Sequence, residues 1–171
     1  MEERKGIVRF KGRELTLVGR PVGVGDKAPD FSALDQDLRE VRLSDFAGKV
    51  VLISSTPSLD TPVCDMQAHR FNDEASGLPE DAVVINVSMD LPFAIKRFCT
   101  TGKVDRIKTL SDHREASFGL SYGLLIKELR LLARAVLVVD REGVVRYLQI
   151  VPEISEHPDY DRAMEELRKL L

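Results

Sequence analysis

The feature that most constrains the fold is a repeated alternation between short continuous apolar runs and segments with helical apolar spacing. "VVLIS" (50–54) and "AVVINVSM" (82–89) are apolar with little interruption, as strands covered on both faces must be. Between them, Pro62 to Leu78 places Cys64, Ala68, Phe71, Ala75 and Leu78 at steps of four and three, which is one face of a helix. After the second run, "LPFAIKRFC" (91–99) aligns Leu91, Ile95 and Phe98 on a stripe. Pro92 suits the first helical turn, where its missing N–H costs nothing.

The flanks extend this unit. "GIVRF" and "LTLVG" surround a Lys-Gly turn and predict an amino-terminal β-hairpin. An apolar segment from Phe31 to Leu34 then runs through an Asp-rich turn into "EVRL". "IKTLSD" predicts a third strand of the unit, and "REASFGLSYG" a short helix ended by Gly123. "RAVLVVD" and "VVRYLQI" predict a second hairpin, and "HPDYDRAMEELRKLL" an amphipathic final helix. Its early Asp159 and Asp161 and late Arg168 and Lys169 complement the helix dipole. The expected fold is α/β, a mixed central sheet flanked by helices. With 171 residues, 43% of them apolar, and no linker or repeat, residues 1–171 are expected to form one domain.

A net charge of -3 argues against a nucleic-acid or anionic-membrane surface, which needs clustered Lys and Arg. No apolar run approaches bilayer length, and the amino-terminal "MEERKGIVRF" carries charges but no apolar signal region. A cytoplasmic protein is expected. Two cysteines are too few for a disulfide scaffold, so Cys64 and Cys99 are inert packing, part of a metal site, or redox groups.

Thr61 is a good N-cap residue and Pro62 a good first helical residue, which puts Cys64 in the first turn. Unpaired N–H groups and the positive end of the dipole favour an anion there, which lowers a thiol pKa. As a cap, the Thr61 oxygen would accept from a backbone N–H while its proton stays free for sulfur or substrate. The same position also suits a buried cysteine serving as a small hydrophobe, and residue spacing alone leaves both open. Cys99, beside the Phe98 stripe, reads by itself as packing, and Arg134 as an ordinary surface arginine at a strand start.

Other chemistries fit poorly. The third residue after Cys64 is Gln67, so the dithiol of thioredoxin-like exchange is absent. The histidines and cysteines lack the spacing of a zinc site. "GVGDKAPD" lacks the ending of a phosphate loop. His69 and His113 are conceivable partners for a cysteine nucleophile, but nothing selects either, and both are expected at the surface.

"PSLDTPVC" (57–64) resembles the P-x-x-x-T/S-x-x-C active-site motif of the peroxiredoxins. In order and placement, "VRFKGRELTLVG", "VGDKAPDF", "KRFC" at Cys99, "LLARAVLVVD" around Arg134 and "DYDRAMEELRKL" are similar to the thiol peroxidase branch of that family, the atypical two-cysteine peroxiredoxins. The likeness runs through nearly the whole chain. It implies a thioredoxin-like fold and a homodimer that reduces hydroperoxides with electrons from thioredoxin. It makes Cys64 the peroxidatic cysteine, Cys99 the resolving cysteine, and Pro57, Thr61 and Arg134 the peroxide pocket. No metal, haem or flavin is implied.

Under that resemblance, peroxide turns Cys64 into a sulfenic acid, which Cys99 condenses with to give an intramolecular disulfide. Arg134 would stabilise thiolate and leaving oxygen together. Leu59, near the pocket, would tolerate an alkyl tail. If the two strands are parallel, Cys99 lies about eight residues down its helix, roughly 12 Å below Cys64. A disulfide needs Cα atoms within about 7 Å. The first turn around Cys64, the end of the Cys99 helix, or both are therefore expected to unwind, with Gly102 a place for fraying. The competing classes are a disulfide oxidoreductase, which the missing second motif cysteine disfavours, and a redox sensor that switches a partner.

Overall fold

In the computed structural model, which describes residues 1–171, the expected amino-terminal hairpin is β1 (Glu3–Phe10) and β2 (Arg13–Val18). Lys11 and Gly12 have φ of 51° and 78°, the paired positive values of a two-residue turn matched to strand twist. Gly6, with φ 85°, sits where the register slips between Lys5 and Val8 and the strand bulges. β3 (Ser32–Leu34) and β4 (Glu40–Arg42) then pair antiparallel around the Asp-rich turn.

The first apolar run becomes β5 (Val50–Ser55), buried at every residue. α1 (Pro62–Ala75), β6 (Ala82–Ser88), α2 (Pro92–Gly102) and β7 (Lys108–Ser111) follow in the expected alternation. The short helix α3 (Ser117–Tyr122) is closed by Gly123 in the left-handed region at φ 65°. After β8 (Leu125–Ile126) and β9 (Leu131–Leu132) comes the second hairpin, β10 (Ala135–Val139) and β11 (Val145–Ile150). α4 (Tyr160–Arg168) begins where the Asp159 side chain accepts from the Arg162 N–H.

Seven strands form the main sheet in the order β11-β10-β5-β6-β7-β3-β4. The β5–β6 and β6–β7 pairs are parallel and the others antiparallel, so the sheet is mixed, as expected. Strand periodicity sorts the core into two layers. Val50 and Leu52 face one layer with Ala68 and Phe71 of α1, Ile95 and Cys99 of α2, and Met164 and Leu167 of α4. Val51 and Ile53 face the other, with Val8 and Leu17 of the first hairpin and Phe118 and Tyr122 of α3.

Two details depart from the sequence reading. β8 and β9 were not anticipated; two-residue strands carry no readable period, yet they extend the first hairpin into a sheet ordered β1-β2-β8-β9. α1 ends at Ala75 rather than Leu78, because Ser76 and Gly77 turn back onto the carbonyls of Asp73 and Glu74. Leu78 still packs against the helical layer.

For the site, one register matters most. β10 runs antiparallel to β5 with Ala135 opposite Ser55. The residue entering β10 is therefore delivered to the carboxyl end of β5, where the chain turns toward α1. That residue is Arg134.

Candidate active site

Cys64 is the third residue of α1 and fully buried. Arg134 is only 2% exposed, so the surface reading of this residue is wrong. Its Nη2 donates to Cys64 Sγ at 3.3 Å and to the Ile154 carbonyl at 2.6 Å. Nε donates to the same carbonyl at 3.0 Å, and Nη1 to Gln67 Oε1 at 2.9 Å. All of these oxygens are neutral, and no carboxylate lies within ion-pair distance of Arg134. A buried cation without a counterion is costly. The sulfur of Cys64 is the group in contact with it that can supply a negative charge.

Gln67 holds this guanidinium in place. It is fully buried, and its Nε2 donates to Ser54 Oγ at 2.6 Å and to the Ser55 carbonyl at 3.4 Å, leaving Oε1 aimed at Arg134. The sequence carried one signal for it, since a residue three after Cys64 shares its helix face. The Ile154 carbonyl had no such signal, because a backbone acceptor from a distant loop has no residue identity.

Thr61 stands at the N-cap of α1, as expected, but does not cap it with its side chain. Its N–H and its Oγ1 both donate to the Ser58 carbonyl at 3.1 Å. The hydroxyl roles are thus reversed from the cap reading: the proton is engaged and the lone pairs are free to accept. Pro57 is buried beside this turn. Leu59 is 5% exposed and packed into the helical layer, so it is unavailable to an alkyl tail.

Cys99 is also free and buried, and its Sγ contacts Thr109 Oγ1 of β7 at 3.4 Å. Burial pushes its thiol pKa up, and the Thr109 contact offsets part of that rise. The two sulfurs are thus anchored to different strands, Cys64 beside the start of β10 and Cys99 beside β7. Those strands are three steps apart in the sheet, roughly 14 Å at about 4.8 Å per step. The separation is lateral, whereas the sequence supplied only a distance along the helix.

Neither histidine reaches Cys64. His69, expected at the surface, is half-buried and bridges α1 to α2: Nδ1 meets the Asp65 carboxylate at 2.7 Å and carbonyl at 3.0 Å, while Nε2 meets the Gly102 carbonyl at 3.0 Å. Its ring also packs edge-on to Phe98, 5.7 Å between centroids. Both ring nitrogens face acceptors, a pattern that only the doubly protonated ring satisfies. The Asp65 backbone acceptor is the main cause that holds the His69 pKa above its ordinary 6.5, with Gly102 and the Asp65 carboxylate adding to it. Stability from this bridge is complete below the unfolded value and is lost as pH rises through the folded one. His69→Ala is therefore expected to lower the denaturation midpoint more at mildly acidic pH than at alkaline pH. A midpoint difference independent of pH would contradict the bridge.

The sequence profile of the redoxin family matches residues 23–164. A thiol peroxidase of Oceanobacillus iheyensis is 51% identical over 162 residues, 95% of this chain and 98% of that one. The chain belongs to the redoxin family. Within that family, a thiol peroxidase of Bacillus subtilis is 50% identical over 164 residues, 96% of this chain and 98% of its own. Among solved structures, a peroxiredoxin-like protein of Aquifex aeolicus superposes with a TM-score of 0.90 at 42% identity, covering 96% of each chain. A thiol peroxidase of Chromobacterium violaceum, at 22% identity and TM-score 0.83 over 95% of each chain, shares the fold. The expected thioredoxin-like fold with its amino-terminal hairpin is thus the redoxin fold seen here.

Proposed function

We propose that this redoxin is a thiol-dependent peroxidase acting on hydrogen peroxide and organic hydroperoxides, with Cys64 peroxidatic and Cys99 resolving. The observation that carries the reading is the buried Arg134 guanidinium, 3.3 Å from Cys64 Sγ and without a carboxylate partner. Such a cation stabilises an ionised sulfur and, in the same place, the negative oxygen that leaves during attack. The likeness to thiol peroxidases at about half identity supports the same reading.

In the first step the Cys64 thiolate attacks one peroxide oxygen. An S–O bond forms, the O–O bond breaks, and the departing oxygen takes a proton to leave as water or an alcohol. Thr61, whose lone pairs are unengaged, accepts from the hydroperoxide O–H and orients it. Four guanidinium N–H groups of Arg134 have protein acceptors, which leaves the fifth for the leaving oxygen. Pro57 shields the pocket from water. Thr61→Val, which keeps the shape and removes the hydroxyl, is expected to slow peroxide consumption by at least tenfold with little change in melting temperature. Equal losses of activity and folded fraction would refute that role.

In the second step the sulfenic acid and the Cys99 thiol condense to a disulfide and water. The strand separation of the two anchors requires the first turn of α1, the end of α2, or both to unwind. Gly102 is held by His69 rather than loose, so the end of α2 must break that clasp to move. Thioredoxin then reduces the exposed disulfide by thiol exchange. We further assign a single domain over residues 1–171, a homodimer, and a cytoplasmic setting; no helix is long and apolar enough to cross a membrane.

The test adds one equivalent of peroxide to reduced protein and follows free thiols and intact mass. Loss of both thiols without a covalent dimer is the expected result. Retention of both thiols, or a disulfide between two chains, would overturn the reading.

A further inference from the structure

Asp90 lies between the two cysteine-bearing helices, directly before the N-cap Leu91 of α2, and has no part in the chemistry described above. Its carboxylate makes three hydrogen bonds. Oδ1 accepts from Ser58 Oγ at 2.8 Å, and Oδ2 accepts from the Leu59 N–H and from Ser88 Oγ, each at 2.8 Å. Its own carbonyl accepts from Ser111 Oγ at the end of β7. One residue thus fastens the loop leaving β5 to the carboxyl ends of β6 and β7. Hydrogen bonds to an ionised acceptor are the stronger kind.

The grip continues toward the sulfur. The Ser58 carbonyl accepts both the N–H and the Oγ1–H of Thr61. The Thr61 carbonyl in turn accepts from the Asp65 N–H at 2.9 Å, the bond that closes the first turn of α1 around Cys64. The path from Asp90 to the peroxide-facing hydroxyl therefore runs through a single intermediate residue. The gripped loop leads directly into that first turn, one of the segments that must move for Cys64 to meet Cys99.

Resting on the peroxidase reading, we propose that Asp90 is a positioning residue for peroxide attack: through Ser58 it fixes the Thr61 hydroxyl, and its bonds hold the Cys64 turn closed until the sulfur has been oxidised. Two opposite effects follow. Loosening the grip slows oxidation of Cys64, because a misplaced hydroxyl no longer orients the peroxide. It does not slow disulfide formation, because the turn that must open is already less restrained. A carboxylate that served only to stabilise the loop would lower the melting temperature without separating the two half-reactions.

Asp90→Asn keeps the shape but removes the charge; with its oxygen kept toward the Leu59 N–H, its NH2 group faces Ser58 Oγ, which must reverse from donor to acceptor. Rapid mixing of the reduced variant with hydrogen peroxide reads both steps, the first proportional to peroxide and the second independent of it. The expected result is a first step slower by on the order of tenfold, with the second step unchanged or faster. Ser58→Ala, which leaves the carboxylate and its other bonds intact, is expected to show a smaller loss in the same step. Combined with Thr61→Val, Asp90→Asn is expected to cost far less than it does alone, since both act on one hydroxyl. Equal first-step rates in wild type and Asp90→Asn, parallel losses in both steps, or full additivity with Thr61→Val would each overturn the proposal. A wild-type chain that consumes no peroxide would instead sink the peroxidase reading itself.

Discussion

Arg134→Met is expected to slow oxidation of Cys64 by peroxide by about a hundred- to a thousand-fold, the loss typical of removing one donor aimed at developing negative charge. Methionine fills much of the same volume but removes the charge and every N–H. The Cys64 sulfur loses the cation 3.3 Å away, and under the proposed mechanism the departing oxygen loses its donor. The substitution also orphans the Ile154 carbonyl and Gln67 Oε1, so some stability falls with it. Arg134→Lys separates the two effects. A lysine keeps the charge but cannot reach Ile154, Gln67 and Cys64 together as the planar fork does, so a partial rate is expected. Competition for limiting peroxide against a reference peroxidase measures both variants. An unchanged rate in Arg134→Met would leave the site without its central electrostatic argument.

The cysteine variants are expected to divide the cycle at its midpoint. Cys64→Ser should consume no peroxide, because a hydroxyl in this position is a far weaker nucleophile than a thiolate. Cys99→Ser should consume one equivalent and then stop, gaining the mass of one oxygen. With no resolving thiol, its sulfenic acid is open to a second peroxide and irreversible oxidation to the sulfinic form. Turnover with thioredoxin should be lost in both chains for these different reasons. Intact mass after one and after many equivalents distinguishes them. A Cys99→Ser chain that still turned over would show that an outside thiol, not Cys99, completes the reaction.

Much of the scaffold was legible because local patterns and tertiary needs agree. "VVLIS" and "AVVINVSM" read as doubly covered strands and are the neighbours β5 and β6. The Lys-Gly turn read as a hairpin and is one: Gly12 takes one of the two positive φ values freely, and Lys11 takes the other in the left-handed region. β8 and β9 were invisible, since two residues have no period, and the partner strand selects them. Read without the family resemblance, Arg134 goes to the surface and His69 shows no bridging role, both for one reason. Polar residues follow composition toward the surface unless a partner is brought to them, and the partners here come from distant elements. The first cap reading of Thr61 failed on a smaller scale. Its position was right, but the carbonyl of Ser58 competed successfully for its proton.

What the sequence determined alone was the parallel strand–helix unit and a cysteine in the first turn of its helix, because local periodicity and capping chemistry write both. Which cation meets that sulfur was settled by the antiparallel register of β10 on β5, which seats Arg134 at the end of β5. The lateral spacing of the two thiols came likewise from strand order. Register and order arise from long-range pairing, and no residue announces its distant neighbour.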